Sequence, residues 1–322
     1  MKAKKIILII IAILIILGAG FAIFKSGNNK NKEDGKIQVV ASNFASYDFL
    51  RAIIGDNSNI ELTFLMGPGK DAHSYDPTAQ DLITIQNSGL FVYVGGEMEK
   101  WSDKVLESLD NKKAKIICIA DDIDTIEEQE VDGAEPEEEE EEEEGSFDEH
   151  IWTSPSNAIK MVNILEEAME EIDSSNSSKY KENAEKYIAQ IKDIDSKIQN
   201  IVDNKIRDRL IFADKMPMQY FINYYNLKVS AAFKGCSTET EPSASTISYL
   251  ERKIKDEKIP VVLYIELNNG RVAKTIADEV GDNCEAMQIQ TLHNVTLDDF
   301  NNQETWVSLM TRNFEVLKKA LQ

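Results

Sequence analysis

From residue 37 onward, short runs rich in Val, Ile and Leu alternate with stretches of helical periodicity. Strand-like runs at 37–41, 60–65, 90–94 and 115–119 are separated by helical patterns at 47–54, 77–86 and 97–109. A second set places strands at 209–213, 227–232, 261–265 and 286–292, with helices at 217–225, 243–257, 272–280 and 303–321. This alternation predicts parallel sheets, because parallel strands need a long crossover and a helix supplies it. Between the two sets a helix starts at Pro155, with Ser154 as its N-cap. Beyond it Tyr180, Ala184, Tyr187, Ile188, Ile191, Ile194, Ile198 and Ile201 recur at spacings of three and four, the pattern of one long amphipathic helix. The expected organisation is an α/β N-terminal lobe over 37–175, a linker helix over 176–204 and an α/β C-terminal lobe over 205–322. The two halves share this rhythm without a recognisable sequence repeat.

The N-terminus sets the compartment. Residues 1–5 hold three lysines, and residues 6–24 are uncharged and mostly Ile, Leu and Ala. That run is close to the roughly 20 residues needed to cross a bilayer, and longer than a signal-peptide core of about 7–15. With the lysines held in the cytoplasm, everything after residue 25 lies outside the cytoplasmic membrane. Residues 1–25 are expected to form a membrane anchor or a cleaved signal segment, and 26–36 a flexible tether. No cysteine precedes Cys118, so no N-terminal cysteine is present to carry a lipid.

The net charge of −22 comes from 57 acidic against 35 basic residues. Eighteen of the acidic residues, and no Lys or Arg, fall within 121–149, so the rest of the chain is nearly balanced. An acidic protein is a poor nucleic-acid ligand, since that affinity comes from Lys and Arg on phosphates. Eight consecutive Glu at 137–144 predict a disordered, self-repelling loop across about 121–149. The tract also ends six residues before His150, where it could raise the local concentration of cations.

Only three histidines occur, and each sits where an α/β sheet places ligands. His73 follows the second strand, before a helix that Asp76 can cap and Pro77 can start. His150 lies just ahead of the helix at Pro155, and His293 follows the last strand of the second half. A single loop histidine is ordinarily a solvated residue. All three at loop positions, divided two to one between the lobes, instead suggest a metal cleft. Imidazole suits Zn2+ and other late first-row ions, provided that it is neutral.

Several segments together carry a family resemblance: Ser46-Tyr47-Asp48-Phe49, His73-Ser74-Tyr75-Asp76-Pro77, Leu90-Phe91-Val92-Tyr93-Val94-Gly95-Gly96, Trp101-Ser102-Asp103-Lys104-Val105-Leu106, His150-Ile151-Trp152-Thr153-Ser154-Pro155 and Glu239-Thr240-Glu241-Pro242-Ser243. In this order they resemble the solute-binding proteins of zinc and manganese ABC transporters, over essentially the whole chain from residue 37. The resemblance implies two Rossmann-like lobes, each a mainly parallel sheet flanked by helices, bridged by one long rigid helix, with a metal between them. It implies a non-enzymatic, monomeric protein that captures Zn2+ and delivers it to an ABC permease with its ATPase. It also makes His73 and His150 the N-lobe ligands and places His293 where a carboxylate is usual. The remaining C-lobe ligand position falls on Lys215, whose ammonium cannot coordinate a metal. Cys236 is the favoured replacement, with Asp214, Glu239 or a water as alternatives; Cys236 could instead pair with Cys284 in a disulfide. Three imidazoles with a thiolate favour Zn2+ over Mn2+. A zinc-dependent hydrolase using Glu149 or Glu239 as base, or a surface adhesin, are the alternatives of other classes. Cys118, within an apolar run, is expected to be a core residue.

Overall fold

The computed structural model describes residues 35–109, 114–135, 147–235, 237, 241–281 and 283–322. The expected anchor over 1–25, the tether over 26–36 apart from its last two residues, the Glu tract over 137–144 and Cys236 lie outside these residues. No described helix is long and apolar enough to cross a membrane.

The first sheet contains β1 (Ile37–Ala41), β2 (Ile60–Phe64), β3 (Leu90–Tyr93) and β4 (Lys115–Cys118), in the order β2-β1-β3-β4. The second contains β5 (Arg209–Lys215), β6 (Lys228–Phe233), β7 (Val261–Ile265) and β8 (Glu285–Ile289), in the order β6-β5-β7-β8. Thus the same winding occurs twice. β1 pairs in parallel with β3, β3 with β4, β5 with both β6 and β7, and β7 with β8. In each sheet the winding direction reverses between two central strands, which opens a crevice at their carboxyl ends.

Helices α1 (Phe44–Ile54), α2 (Ala79–Gln86), α3 (Trp101–Ser108), α4 (Pro155–Ile172) and α5 (Ser177–Asp203) belong to the first half and the linker. In the second half are α6 (Gln219–Tyr224), α7 (Ala244–Glu257), α8 (Arg271–Val280), α9 (Leu297–Asn301) and α10 (Trp306–Leu321). Along α5 the buried positions are Tyr180, Ala184, Tyr187, Ile191, Ile194, Ile198, Ile201 and Val202, so nearly the whole apolar stripe read from the sequence is covered. A core around Ile211, Leu250, Val262 and Ile276 packs α7 and α8 onto the second sheet.

One compact unit spans Gln38–Asn57 and Leu62–Gln322, and the described residues 35–37 and 58–61 belong to a second. Within the second of these units the Ile37 N–H donates to the Asn59 carbonyl at 2.8 Å.

Several local expectations are corrected. The helix after His73 is capped by Thr78, not Asp76, because Thr78 and Asp81 form a reciprocal capping box. The predicted helix at 97–109 is a 3-10 turn, Glu97–Glu99, followed by α3, whereas the helix expected over 303–321 is present as α10, with the short α9 as an additional element ahead of it. The loop expected to be disordered over 121–149 has defined structure at its described residues, 121–135 and 147–149. Ile123, Val131, Asp148 and Glu149 are buried, and Asp132 makes a parallel bridge to Ser230 on β6. Its carboxylate also accepts from Tyr249 and pairs with Arg209 and Lys253, so the acidic residue is matched by cations from the second half. Cys118 is only half-buried, since β4 is an edge strand, and its thiol donates to the Val94 carbonyl. Cys284 is a free, half-buried cysteine; its suggested partner, Cys236, is outside the described residues.

Candidate metal centre

The three histidines converge. One ring nitrogen from each of His73, His150 and His293 lies within 4.8 Å of the others. Ring centroids are 5.7 Å apart for His73 and His150, and 4.9 Å for each of these with His293. Three nitrogens on a tetrahedral Zn2+ at about 2.05 Å would be about 3.3 Å apart, so pairwise contractions of about 1.5 Å at most close the set.

Each imidazole is placed by its own loop. His73 sits in a 3-10 turn, Ala72–Ser74, capped by Asp71, whose carboxylate accepts the His73 N–H at 3.0 Å. His150 is fully buried, and one oxygen of Asp148 accepts both its backbone N–H, at 2.8 Å, and its ring Nδ1–H, at 3.0 Å. A carboxylate accepts only, so this contact fixes the tautomer and leaves Nε2 with a free lone pair. His293 follows β8, and its backbone N–H donates to Glu266, a buried residue just beyond β7. Glu266 also accepts from the Thr291 N–H and hydroxyl, so one carboxylate sets the whole turn that carries His293.

The nitrogens left over are the chemically informative ones. Nε2 of His73 and Nε2 of His150 are buried with no hydrogen-bond partner among the described residues. An unpaired buried acceptor costs roughly 1–3 kcal/mol, and a bound cation removes that cost. Burial, then the neighbouring His150, pushes the pKa of His73 down to about 3, and burial holds His293 well below the ordinary imidazole range. Burial also opposes the charged form of His150, but the charge and hydrogen bond of Asp148, with Glu149 and Glu128, outweigh it and raise its pKa. At neutral pH His73 and His293 are therefore neutral donors.

Lys215, at the end of β5, is buried and its Nζ lies 3.4 Å from the Asp71 carboxylate. Asp214 turns away from the cluster: its oxygens accept the N–H groups of Lys215, at 2.9 Å, and Ile265, at 3.2 Å. Glu149 accepts the Met98 N–H, and so braces a turn instead of facing a substrate. Glu239 and Cys236 fall outside the described residues. A cavity of about 370 Å3 is lined by Asp71, Asp214, Lys215, Glu241 and Glu266 but by no histidine, so it does not contain the cluster. Asp148 and Glu266 were missed in the sequence as supporting residues. Asp148 stands two residues before His150 and could have been flagged, whereas nothing local marks Glu266.

Zinc-binding lipoprotein AdcA of Streptococcus pneumoniae is 28% identical over 293 residues, covering 91% of this chain and 57% of AdcA. The chain thus spans a little over half the length of that relative. The high-affinity zinc uptake system protein ZnuA of Bacillus subtilis is 27% identical over 314 residues, covering 98% of this chain and 97% of the relative. The crystal structure of the Zn(II)-bound ZnuA-like domain of S. pneumoniae AdcA superposes with a TM-score of 0.73 at 26% identity, covering 89% of this chain and 99% of that domain. The metal-dependent lipoprotein YcdH of B. subtilis gives 0.75 at 25% identity, covering 89% of this chain and all of that structure. A family model matches residues 39–320, and the chain belongs to the family that model describes, zinc-uptake complex component A (ZnuA), periplasmic.

Proposed function

We infer that this chain is a binding protein of the outer face of the cytoplasmic membrane that captures Zn2+ on His73, His150 and His293 and delivers it to an ABC permease with its ATPase. The observation that carries this reading is the convergence of three imidazoles from three loops, with two buried nitrogens lacking partners among the described residues. Three nitrogen donors favour Zn2+ over Mn2+, which prefers carboxylates. The zinc names of AdcA and ZnuA, each matched over more than nine-tenths of this chain, support the same ion. The protein works as a monomer, tethered through residues 1–25.

Calorimetric titration of the purified chain with Zn2+ and Mn2+, alongside His73→Ala, His150→Ala and His293→Ala, tests the assignment. One tight Zn2+ per chain is expected, with a hundredfold or greater loss in each variant. Full zinc affinity in any one variant removes that histidine from the site.

A further inference from the structure

We propose that Met98 supplies the fourth donor, so that the metal is held by three imidazoles and one thioether. The proposal rests on the zinc-capture reading and adds to it a ligand and a selectivity. Met98 is 5% exposed, and its Sδ lies 3.3 Å from Nε2 of His293. A thioether is a feeble hydrogen-bond acceptor but a soft metal ligand, so the contact puts two donor atoms at one locus. A tetrahedral ion with N at about 2.05 Å and a neutral sulfur at or somewhat beyond the roughly 2.3 Å of a thiolate separates those atoms by about 3.6 Å or slightly more. The observed spacing is already close to that edge of the tetrahedron.

The turn that presents Met98 is heavily determined. Gly95 and Gly96 both have positive φ, and a Cβ on Gly96 would come within 2.5 Å of the Glu149 side chain. Glu149, the residue before His150, accepts the Met98 N–H. Glu99, buried on the other side of Met98, accepts the N–H groups of Val94 at 2.6 Å and Gly95 at 3.0 Å. Two buried carboxylates thus fix the backbone on either side of the sulfur, and one of them is continuous with a proposed ligand. The competing described candidates are committed elsewhere: the Lys215 ammonium to Asp71, the Asp214 carboxylate to two backbone N–H groups.

The donor set has a consequence for cargo. Thioether sulfur favours soft ions, so the site takes monovalent copper as well as Zn2+ and discriminates against Mn2+. X-ray absorption at the zinc edge of the loaded full chain, in the wild type, Met98→Leu and Cys236→Ser, reads the ligand shell directly. One sulfur, at a distance longer than the roughly 2.3 Å of a thiolate, is expected in the wild type and in Cys236→Ser, and none in Met98→Leu. In competition with a chromophoric Cu+ chelator, Met98→Leu should weaken Cu+ binding tenfold or more, with Zn2+ weakened about threefold or less. A wild-type shell of nitrogen and oxygen alone, a sulfur that survives Met98→Leu, or Cu+ affinity untouched by that change overturns the proposal while leaving zinc capture standing. A wild type that binds no zinc at all refutes the capture reading and this inference with it.

Discussion

Replacing Asp148 by Asn isolates the contribution of a charge to metal affinity without moving the ligand it supports. The Asp148 oxygen that accepts from His150 N and Nδ1 has a direct counterpart in the Asn carbonyl oxygen, so both hydrogen bonds and the Nδ1–H tautomer are retained. What disappears is a carboxylate that is 2% exposed, poorly screened and directed at the imidazole whose other nitrogen faces the cluster. Outer partners of ligating histidines typically contribute 10–100-fold in affinity, about 1.4–2.8 kcal/mol. Because the geometry is preserved, Asp148→Asn should show a loss in this range through reduced basicity alone. The pH dependence sharpens the test. Burial opposes protonation of His150, and Asp148 is the largest influence raising its pKa, so the wild-type ring holds a competing proton to higher pH than the variant ring. The advantage of the wild type should therefore be greatest at alkaline pH and shrink on acidification. Competition with a chromophoric zinc chelator from about pH 8.5 down to about pH 6 measures both quantities across the imidazole range. Affinities within twofold at the alkaline end, or a ratio that widens as pH falls, would refute this account of Asp148.

Two further perturbations probe the frame around the site. Asp48, 1% exposed, accepts from the Trp306 N–H at 2.7 Å, from Arg51 at 2.6 Å and from the Tyr187 hydroxyl, tying α1 to α5 and α10. Asp48→Ala strands these donors and should cost about 2–4 kcal/mol, read as a lowered Tm in a thermal melt; an unchanged Tm would show that the network contributes nothing. In the metal-free protein the folded pKa of His73, about 3, lies below its unfolded value, so between about 3 and 6.5 the unfolded chain binds more protons. Its contribution is thus lost as pH falls from about 6.5, at up to about 1.4 kcal/mol per pH unit. Denaturant titrations of the metal-free wild type and His73→Asn at about pH 5 and about pH 7.5 should show the wild type losing ground to the variant at the lower pH; parallel behaviour would contradict the burial argument.

Periodicity made the strands and α5 legible because both report a local, repeating demand for burial. The apolar runs of the two sheets and the stripe from Tyr180 to Ile201 needed no tertiary information. The three histidines were legible for a different reason, namely their position beside predicted strand ends in a chain with no others. What escaped was governed by competition between local signals or by contacts distant in sequence. Asp76-Pro77 and Thr78 both offer helix starts, and the reciprocal Thr78–Asp81 pair decides for the second. The charge of 121–135 pointed to disorder because its cationic partners, Arg209 and Lys253, lie far along the chain. Met98 was invisible as a donor, since a thioether inside an apolar-looking turn has no motif and only the fold brings it to His293.

The cluster is assembled across the two halves by contacts that surround it. Asn294, next to His293, donates to the carbonyls of Gly67 at 3.0 Å and Lys70 at 2.7 Å, in the loop that leads to His73. The Gly69 N–H returns a bond to the Val295 carbonyl, and Lys215 reaches Asp71 from β5. Trp152, two residues after His150, donates its indole N–H to the Thr291 carbonyl and accepts one from Trp306. Each proposed ligand is thus held by contacts to the opposite half within a few residues of itself. Folding therefore bears most of the cost of desolvating and orienting the imidazoles, which leaves little ordering to be done on capture and favours high affinity. The same clamps set the condition for release. If His293 withdraws together with Asn294, the Asn294 bonds to Gly67 and Lys70 break as well, so release in the proposed function would couple the 66–71 and 290–295 loops.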